Sequence, residues 1–515
     1  VIRTAWIFVL LALLPFGAWA QPATTDAAFN TAMAGSVWGA ALSYIEPRAL
    51  QALSIPQMTI WGLNGLAALD PDLTTQIQGH QILLYGPNRI ITAVPTPPAN
   101  DADGWGQAAA KVAAAAYAVS PALRQAGTQG LITSFFDELF NHFDPYSRYE
   151  PPLQAAREQL MVTGLAGTGV TFTAAGRFVT IGAIAADSPA ENAGLVVGTR
   201  VLGMNGRPVH PSEVTRLDNA MPGLLGSKVT LRLVDPAGGD GPQDVTLTRA
   251  LIPPQTVFSE PSPAPGLAAL KITGFNHGTG DQFSTLVAAL MAANPAPTGL
   301  VIDLRGNRGG VLRQAELVAD SLMASGPIAK ASGRDPDADQ IFRADGSDLT
   351  GGIRLTVLVD GQTASASEIL SGALADDRRA VVIGSTTLGK GLVQTVTSLP
   401  DGGELFVTWS RVLAPGGWPL QTLGVMPQVC TSVGEQALQT QLAALLNGRN
   451  LMAPALAASR AVRAPAPVDT ILNVRDRCPA AIGSRLDMST ATFLLAHPAA
   501  YEAALMPERK KEAAF

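Results

Sequence analysis

Residues 357–394, VLVDGQTASASEILSGALADDRRAVVIGSTTLGKGLVQ, constrain the fold more than any other stretch of the chain. Their pattern predicts a strand over 355–359, a tight turn, a helix, a strand over 380–383, a glycine loop and a further strand. Ser365 falls where the first turn feeds the helix, and Lys390 lies in the loop after the next strand. A fold that brings them together holds a nucleophile and a base without histidine. Ser365-Ala366-Ser367-Glu368 is also a capping-box pattern, and taken alone that is the simpler account of the serine.

Two other chemistries fit poorly. GSTTLGKG (384–391) nearly matches a phosphate-binding loop, but Gly391 stands where a magnesium-holding Ser or Thr belongs. The segment after it reads as strand, so no helix N-terminus faces a phosphate. His80, His142, His210, His277 and His497 lie in helical, linker or turn surroundings, none resembling a catalytic turn. Without HExxH, and with only two cysteines, nothing suggests a metal, and no cofactor is expected.

A length of 515 residues corresponds to about three domains, and 47% apolar residues suffice for their cores. The net charge of -6 gives no sign of nucleic-acid binding. Residues 1–20 read as a secretory signal, with Arg3, an apolar run over 6–14 and Ala18-Trp19-Ala20 before Gln21. No later stretch is long and apolar enough to span a bilayer. The expected mature protein starts at Gln21 and is exported, to a bacterial periplasm. In an oxidising compartment Cys430 and Cys478 are expected to pair, adding about 4 kcal/mol in the chain-entropy model.

Along the chain, residues 26–152 are mostly helical, with a strand-like stretch at 81–85, a proline-rich linker at 94–100 and two loosely similar halves. From 162 to 249 the texture changes to β-branched runs and glycine turns: GLAGTGVTF, RFVTIGAIA, TRVLGMNG and VTLRLV. With ADSPAENAGLVVGTRVLGMNG (186–206), in which Ser188 caps a short helix before Pro189, this resembles a PDZ domain. The resemblance makes Gly164, Leu165, Gly167, Gly169, Val170 and Phe172 the substrate-binding loop and edge strand. There backbone N–H groups meet a terminal carboxylate and the peptide adds as a strand. A proline-rich linker at 253–265 leads to strands at 267–273 and 300–304, with a helix at 281–292 between them. DLRGNRGG (303–310) then opens a helix to 323, residues 329–352 read as a polar surface loop, and the chain is helical again from 434. The basic tail Arg509-Lys510-Lys511 is given no role.

DPYSRY (144–149), the PDZ pattern, ITGFNHGTGDQF (272–283), DLRGNRGG, TASASEIL (363–370), TTLGKGLVQT (386–395) and LGVMPQV (423–429) follow one another in order. Together they resemble the carboxyl-terminal processing peptidases, or tail-specific proteases, over about 140–429. The resemblance implies a multidomain α/β protein: signal 1–20, helical N-terminal region 21–158, PDZ domain 159–252, ClpP/crotonase-like peptidase core 253–430 and helical C-terminal extension 431–515. It makes Ser365 the nucleophile, Lys390 the general base and Gln394 the residue that positions the lysine, four residues on along an extended stretch. Ala366 and Gly309 or Gly310 supply the oxyanion hole, and Glu368 is a secondary candidate. A lysine base must be desolvated, since at the ordinary pKa of ~10.4 about one in a few thousand is neutral at pH 7; Leu388, Leu392 and Val393 are the apolar neighbours available. The expected partners are proteins or peptides with apolar C-terminal tails. An adaptor, a homo-oligomer and a catalytically silent PDZ scaffold on the same fold stay open. Leu388 and Arg308 depart from the family's FGKG and NPGG.

Overall fold

The structure, a computed structural model, describes residues 28–185, 188–234, 241–346 and 348–507. The predicted signal segment and the basic tail at 509–511 lie outside these residues. The chain divides into two compact units, one of residues up to 40 with 55–139, the other of 41–54 with 140–515.

In the first unit, helices Ile55–Leu63, Gly65–Leu69 and Ala102–Val119 accompany an antiparallel meander of Thr74–Gln78, Gln81–Gly86 and Arg89–Pro95. Asp101 caps Ala102–Val119 by accepting from the Gly104 N–H at 2.9 Å. The sequence pattern shows only the middle strand, where Ile82 and Leu84 are fully buried. Its neighbours bury only Thr75 and Val94, so they lack the apolar alternation that marks a strand, and the expected linker at 94–100 begins inside one of them.

The second unit contains a small antiparallel domain of PDZ-like arrangement. Its strands run in the order Gln243–Thr248, Lys228–Val234, Arg200–Met204, Phe178–Ile184, Val170–Ala175, with Val170–Ala175 on the edge. Phe172, Ile181, Val201, Leu217 and Leu231 fill its core. Ser188 caps the short helix Pro189–Asn192 as expected. Helix Pro152–Thr163 runs straight across the expected 158/159 boundary and delivers the chain to the glycine loop at Gly164.

The peptidase core is built on a six-stranded sheet ordered Val257–Glu260, Leu267–Ile272, Gly299–Asp303, Arg354–Val359, Ala380–Gly384, Val429–Cys430. All pairings after the first are parallel. The three central strands are buried almost throughout, which is why they read as continuous apolar runs. Val257–Glu260 falls inside the expected proline-rich linker; its edge position tolerates the flanking prolines. A second sheet joins Gln340–Ala344, Gly326–Gly333, Glu404–Leu413 and Leu392–Ser398, with Arg148–Glu150 paired to Glu404–Leu413. The first two of these replace the surface loop expected at 329–352. Mixed polarity hides them in sequence, because only three residues of Gly326–Gly333 and one of Gln340–Ala344 are buried.

Beyond 430 come helices Glu435–Leu446, Ala453–Ala461, Val468–Arg475, Arg485–Ala496 and Pro498–Ala504. A disulfide joins Cys430 to Cys478, Cα atoms 5.8 Å apart. Among the described residues no helix is long and apolar enough to cross a membrane.

Candidate active site

Gly299–Asp303, Arg354–Val359 and Ala380–Gly384 are parallel neighbours, so the loops leaving their C-terminal ends lie side by side. That edge of a parallel sheet is where open α/β folds place their sites. The first loop carries DLRGNRGG, the second Ser365 and the third Lys390.

Ser365 sits at φ 58° and ψ −119°, a region that costs a non-glycine residue about 1–3 kcal/mol. The surrounding bonds hold it there. Asp360, almost fully buried, accepts from the N–H groups of Gly306, Gln362 and Thr363, each at 3.0 Å. The Thr363 hydroxyl donates to the Leu304 carbonyl at 3.0 Å, and the Ala364 N–H donates to the Asn307 carbonyl at 3.0 Å.

Glu368, one turn into helix Ala366–Asp376, is fully buried and ties the serine turn to the lysine loop. Its carboxylate accepts from the backbone N–H groups of Ser365 (2.8 Å), Gly389 (2.7 Å) and Lys390 (2.8 Å), and from the Thr387 hydroxyl. Burial pushes this carboxyl up, against the Thr387 bond and the three backbone bonds. Four donors thus surround the carboxyl group, two on each oxygen. Glu368 thus supplies its half of the capping box by accepting from the Ser365 N–H, and the same carboxylate ties the two candidate catalytic loops together.

The two candidate glycines of the oxyanion hole differ. The Gly309 N–H donates to the Asn307 side chain at 2.8 Å. Among the described residues the N–H groups of Gly310 and Ala366 have no partner. Gly309 packs directly on the serine turn, where a Cβ would meet the Ser365 Cβ at 2.8 Å and the Ala366 nitrogen at 3.0 Å.

Ser365, Lys390, Gln394, Gly309 and Gly310 line one cavity of about 550 Å³, together with Arg148, Glu158 and Phe406. The Lys390 Nζ lies 4.8 Å from the centre of the Tyr146 ring and has no acidic partner within salt-bridge distance among the described residues. Burial holds its pKa below the ordinary 10.5 and Arg148 adds to the effect, while Glu158 and Asp144 oppose it. An ammonium over the ring would gain about 0.5–2 kcal/mol, so burial is the influence that favours the neutral amine.

One expectation needs correction. Leu388 does not bury the lysine, being 47% exposed; its side chain follows a loop whose backbone, not its apolar groups, faces Glu368. Leu392, Val393 and Phe406 line the cavity instead. Lys390 precedes the strand Leu392–Ser398 and Gln394 lies within it, and both line the same cavity. The Gln394 amide donates to the Thr408 hydroxyl at 3.0 Å and the Leu392 carbonyl at 3.3 Å, and Thr408 donates to Asp144 at 2.7 Å.

Tyr146 and Arg148 escape a reading by motif chemistry, although DPYSRY contains both. Asp144 folds this hexapeptide on itself, accepting from the N–H groups of Tyr146 (2.9 Å) and Ser147 (3.0 Å). The Arg148 guanidinium lies 3.8 Å over the Phe406 ring, bonded to Glu150 at 2.7 Å and Glu158 at 3.1 Å.

In the PDZ-like domain, Leu165–Gly167 pairs with Ala250–Ile252, and Gly164 and Gly169 flank that strand at positive φ. Val170 and Phe172 turn their side chains into the core, so what they offer a ligand is the edge of the strand. The Phe172 N–H is already taken by Asp218 of helix Val214–Asn219, at 2.8 Å.

Residues 266–431 match Peptidase family S41. A carboxy-terminal-processing protease of Bartonella bacilliformis is 32% identical over 58% of this chain and 69% of its own length. A chloroplastic C-terminal processing peptidase of Tetradesmus obliquus is 32% identical over 56% of this chain and 64% of its own. A solved photosystem II D1 C-terminal processing protease is 29% identical, covering 58% of this chain and 80% of that one, with a TM-score of 0.35. The chain belongs to peptidase family S41, among the carboxy-terminal processing proteases, a family of serine-type peptidases.

Two predictions follow from the charges. Glu368→Gln puts an amide NH₂ against N–H donors; it is expected to lower stability by about 1–3 kcal/mol in a denaturant titration and peptidase activity at least tenfold. Lys390→Met is expected to raise the melting temperature at neutral pH, because the folded state no longer holds a disfavoured ammonium. That gain shrinks as pH rises through the depressed folded pKa towards 10.5, above which lysine is neutral in both states.

Proposed function

We propose that this chain is an exported serine endopeptidase that engages substrate C-termini through its PDZ-like groove and cuts with a Ser365–Lys390 dyad. The observation that carries the reading is that a strained serine and a desolvated lysine without an acidic partner line one cavity. Ser365 Oγ attacks the peptide carbonyl as the Lys390 amine takes its proton. The oxyanion settles on the N–H groups of Ala366 and Gly310. Lys390 returns the proton to the leaving amine, and water releases the acyl-enzyme. Gln394 orients the amine from the cavity wall when substrate is bound. No metal or organic cofactor takes part in these steps. Export to a bacterial periplasm rests on the signal-like segment 1–20.

The direct test is cleavage of an unfolded protein with an apolar C-terminal tail by the chain from Gln21. Cleavage by the parent, with at least a 10³-fold loss in both Ser365→Ala and Lys390→Ala, is the expected result. A binding scaffold without activity would retain the tail in all three and cut in none.

The groove makes a separate prediction. An added strand needs the Phe172 N–H, which Asp218 occupies. Asp218→Ala in the Ser365→Ala background is expected to tighten binding of a labelled apolar-tailed peptide several-fold in fluorescence anisotropy. Unchanged or weaker binding would place the peptide elsewhere.

A further inference from the structure

We propose that residues 478–483 of the C-terminal extension, anchored by the Cys430–Cys478 disulfide, are a positioning element that sets the Ser365 turn and the Lys390 loop against each other. The proposal rests on the dyad reading above. It concerns a segment beyond residues 266–431, the part that matches the peptidase family.

The segment has no regular secondary structure of its own between helices Val468–Arg475 and Arg485–Ala496, so its path depends on its anchors. One is the disulfide. Cys430 pairs with Gly384, the last residue of the strand that feeds the lysine loop, and both cysteines are fully buried. From there the segment bonds to both candidate catalytic loops. The buried Thr386 hydroxyl donates to the Cys478 carbonyl at 2.6 Å. Ser385 donates to the Ala481 carbonyl at 2.9 Å and accepts from the Ala481 N–H at 3.0 Å.

The Ala481 carbonyl also accepts from the Gly361 N–H at 2.7 Å, in the turn that leads to Ser365. One oxygen thus links the lysine loop, through Ser385, to the serine turn, through Gly361. Two residues on, the Gly483 N–H donates to Asp360 at 3.2 Å, the carboxylate that already organises that turn. Gly361 faces the segment closely, since a Cβ there would meet the Ala480 Cβ and the Ala481 nitrogen, each at 3.2 Å. Glu368 ties the two loops from inside the core, and this segment ties them from outside it.

Two-electron reduction by a dithiol converts the disulfide to two thiols while the dithiol becomes a disulfide. Cys478 then loses its covalent tether, and the bonds at Thr386, Ser385 and Gly361 hold only as long as an untethered segment stays in place. Lys390 gains access to water, and its pKa moves towards the ordinary value. Peptidase activity is therefore coupled to an oxidising surrounding.

The experiment uses the full mature chain, oxidised and after dithiothreitol treatment, together with a Ser385→Ala variant that keeps its disulfide. Amide hydrogen exchange is measured well below the melting temperature, alongside kcat, KM and the pH dependence of kcat/KM. Reduction is expected to speed exchange at 360–365 and 385–391 at least tenfold. It should lower kcat about tenfold with KM nearly unchanged and move the rising pH limb upward. Ser385→Ala should shift the limb the same way without reduction.

Exchange that quickens only at 430–434 and 476–484, or an unmoved pH limb with Ser385→Ala, would overturn the positioning role. Exchange as expected in a protein that never cleaves would leave the positioning intact and overturn the dyad reading instead.

Discussion

The buried carboxylate of Glu368 is the interaction on which the rest of the site depends. It lies in the first turn of the helix that Ser365 opens, and it accepts from the backbone on both sides of the cavity. A charge taken out of water is costly unless it is fully hydrogen-bonded, and here each acceptor position is used. Three of its four partners are backbone N–H groups, so the carboxylate fixes the positions of the two loops without engaging the Lys390 amine. The strained Ser365 backbone persists because Asp360, Thr363 and Glu368 over-determine the turn around it.

Lysine chemistry requires the opposite of a salt bridge. Aspartate or glutamate in contact with Lys390 would hold the proton in place. Instead an aromatic face shields the amine, and Arg148, fixed by Glu150 and Glu158, adds positive charge to the cavity. Arg148 comes from the edge strand Arg148–Glu150 and Glu158 from helix Pro152–Thr163, which leads directly to the glycine loop of the PDZ-like domain. The groove proposed to read substrate tails and the cavity proposed to cut them are thus joined by one helix of 12 residues.

Much of this was legible in the sequence. Buried parallel strands produce apolar runs that mark themselves, and the turns around Ser365 and Lys390 carry the glycines and small residues such turns need. What stayed hidden depends on exposure and on polar backbone partners. The exposed strands at 74–78, 89–95 and 340–344 bury too little to show a period. Choosing Gly310 over Gly309 required knowing that the Asn307 side chain occupies one N–H. The role of Ala481 rests on its carbonyl, which any residue would carry.

The claim that burial lowers the Lys390 pKa is tested most directly by nuclear magnetic resonance. The Nζ signal of Lys390 would be followed through a pH titration of lysine-labelled Ser365→Ala protein, assigned by its loss in Lys390→Met. Titration below the ordinary lysine value of 10.5 is the predicted result. An amine that titrates at or above that value would contradict the account, because Lys390 would then carry its proton at neutral pH and could not take one from Ser365.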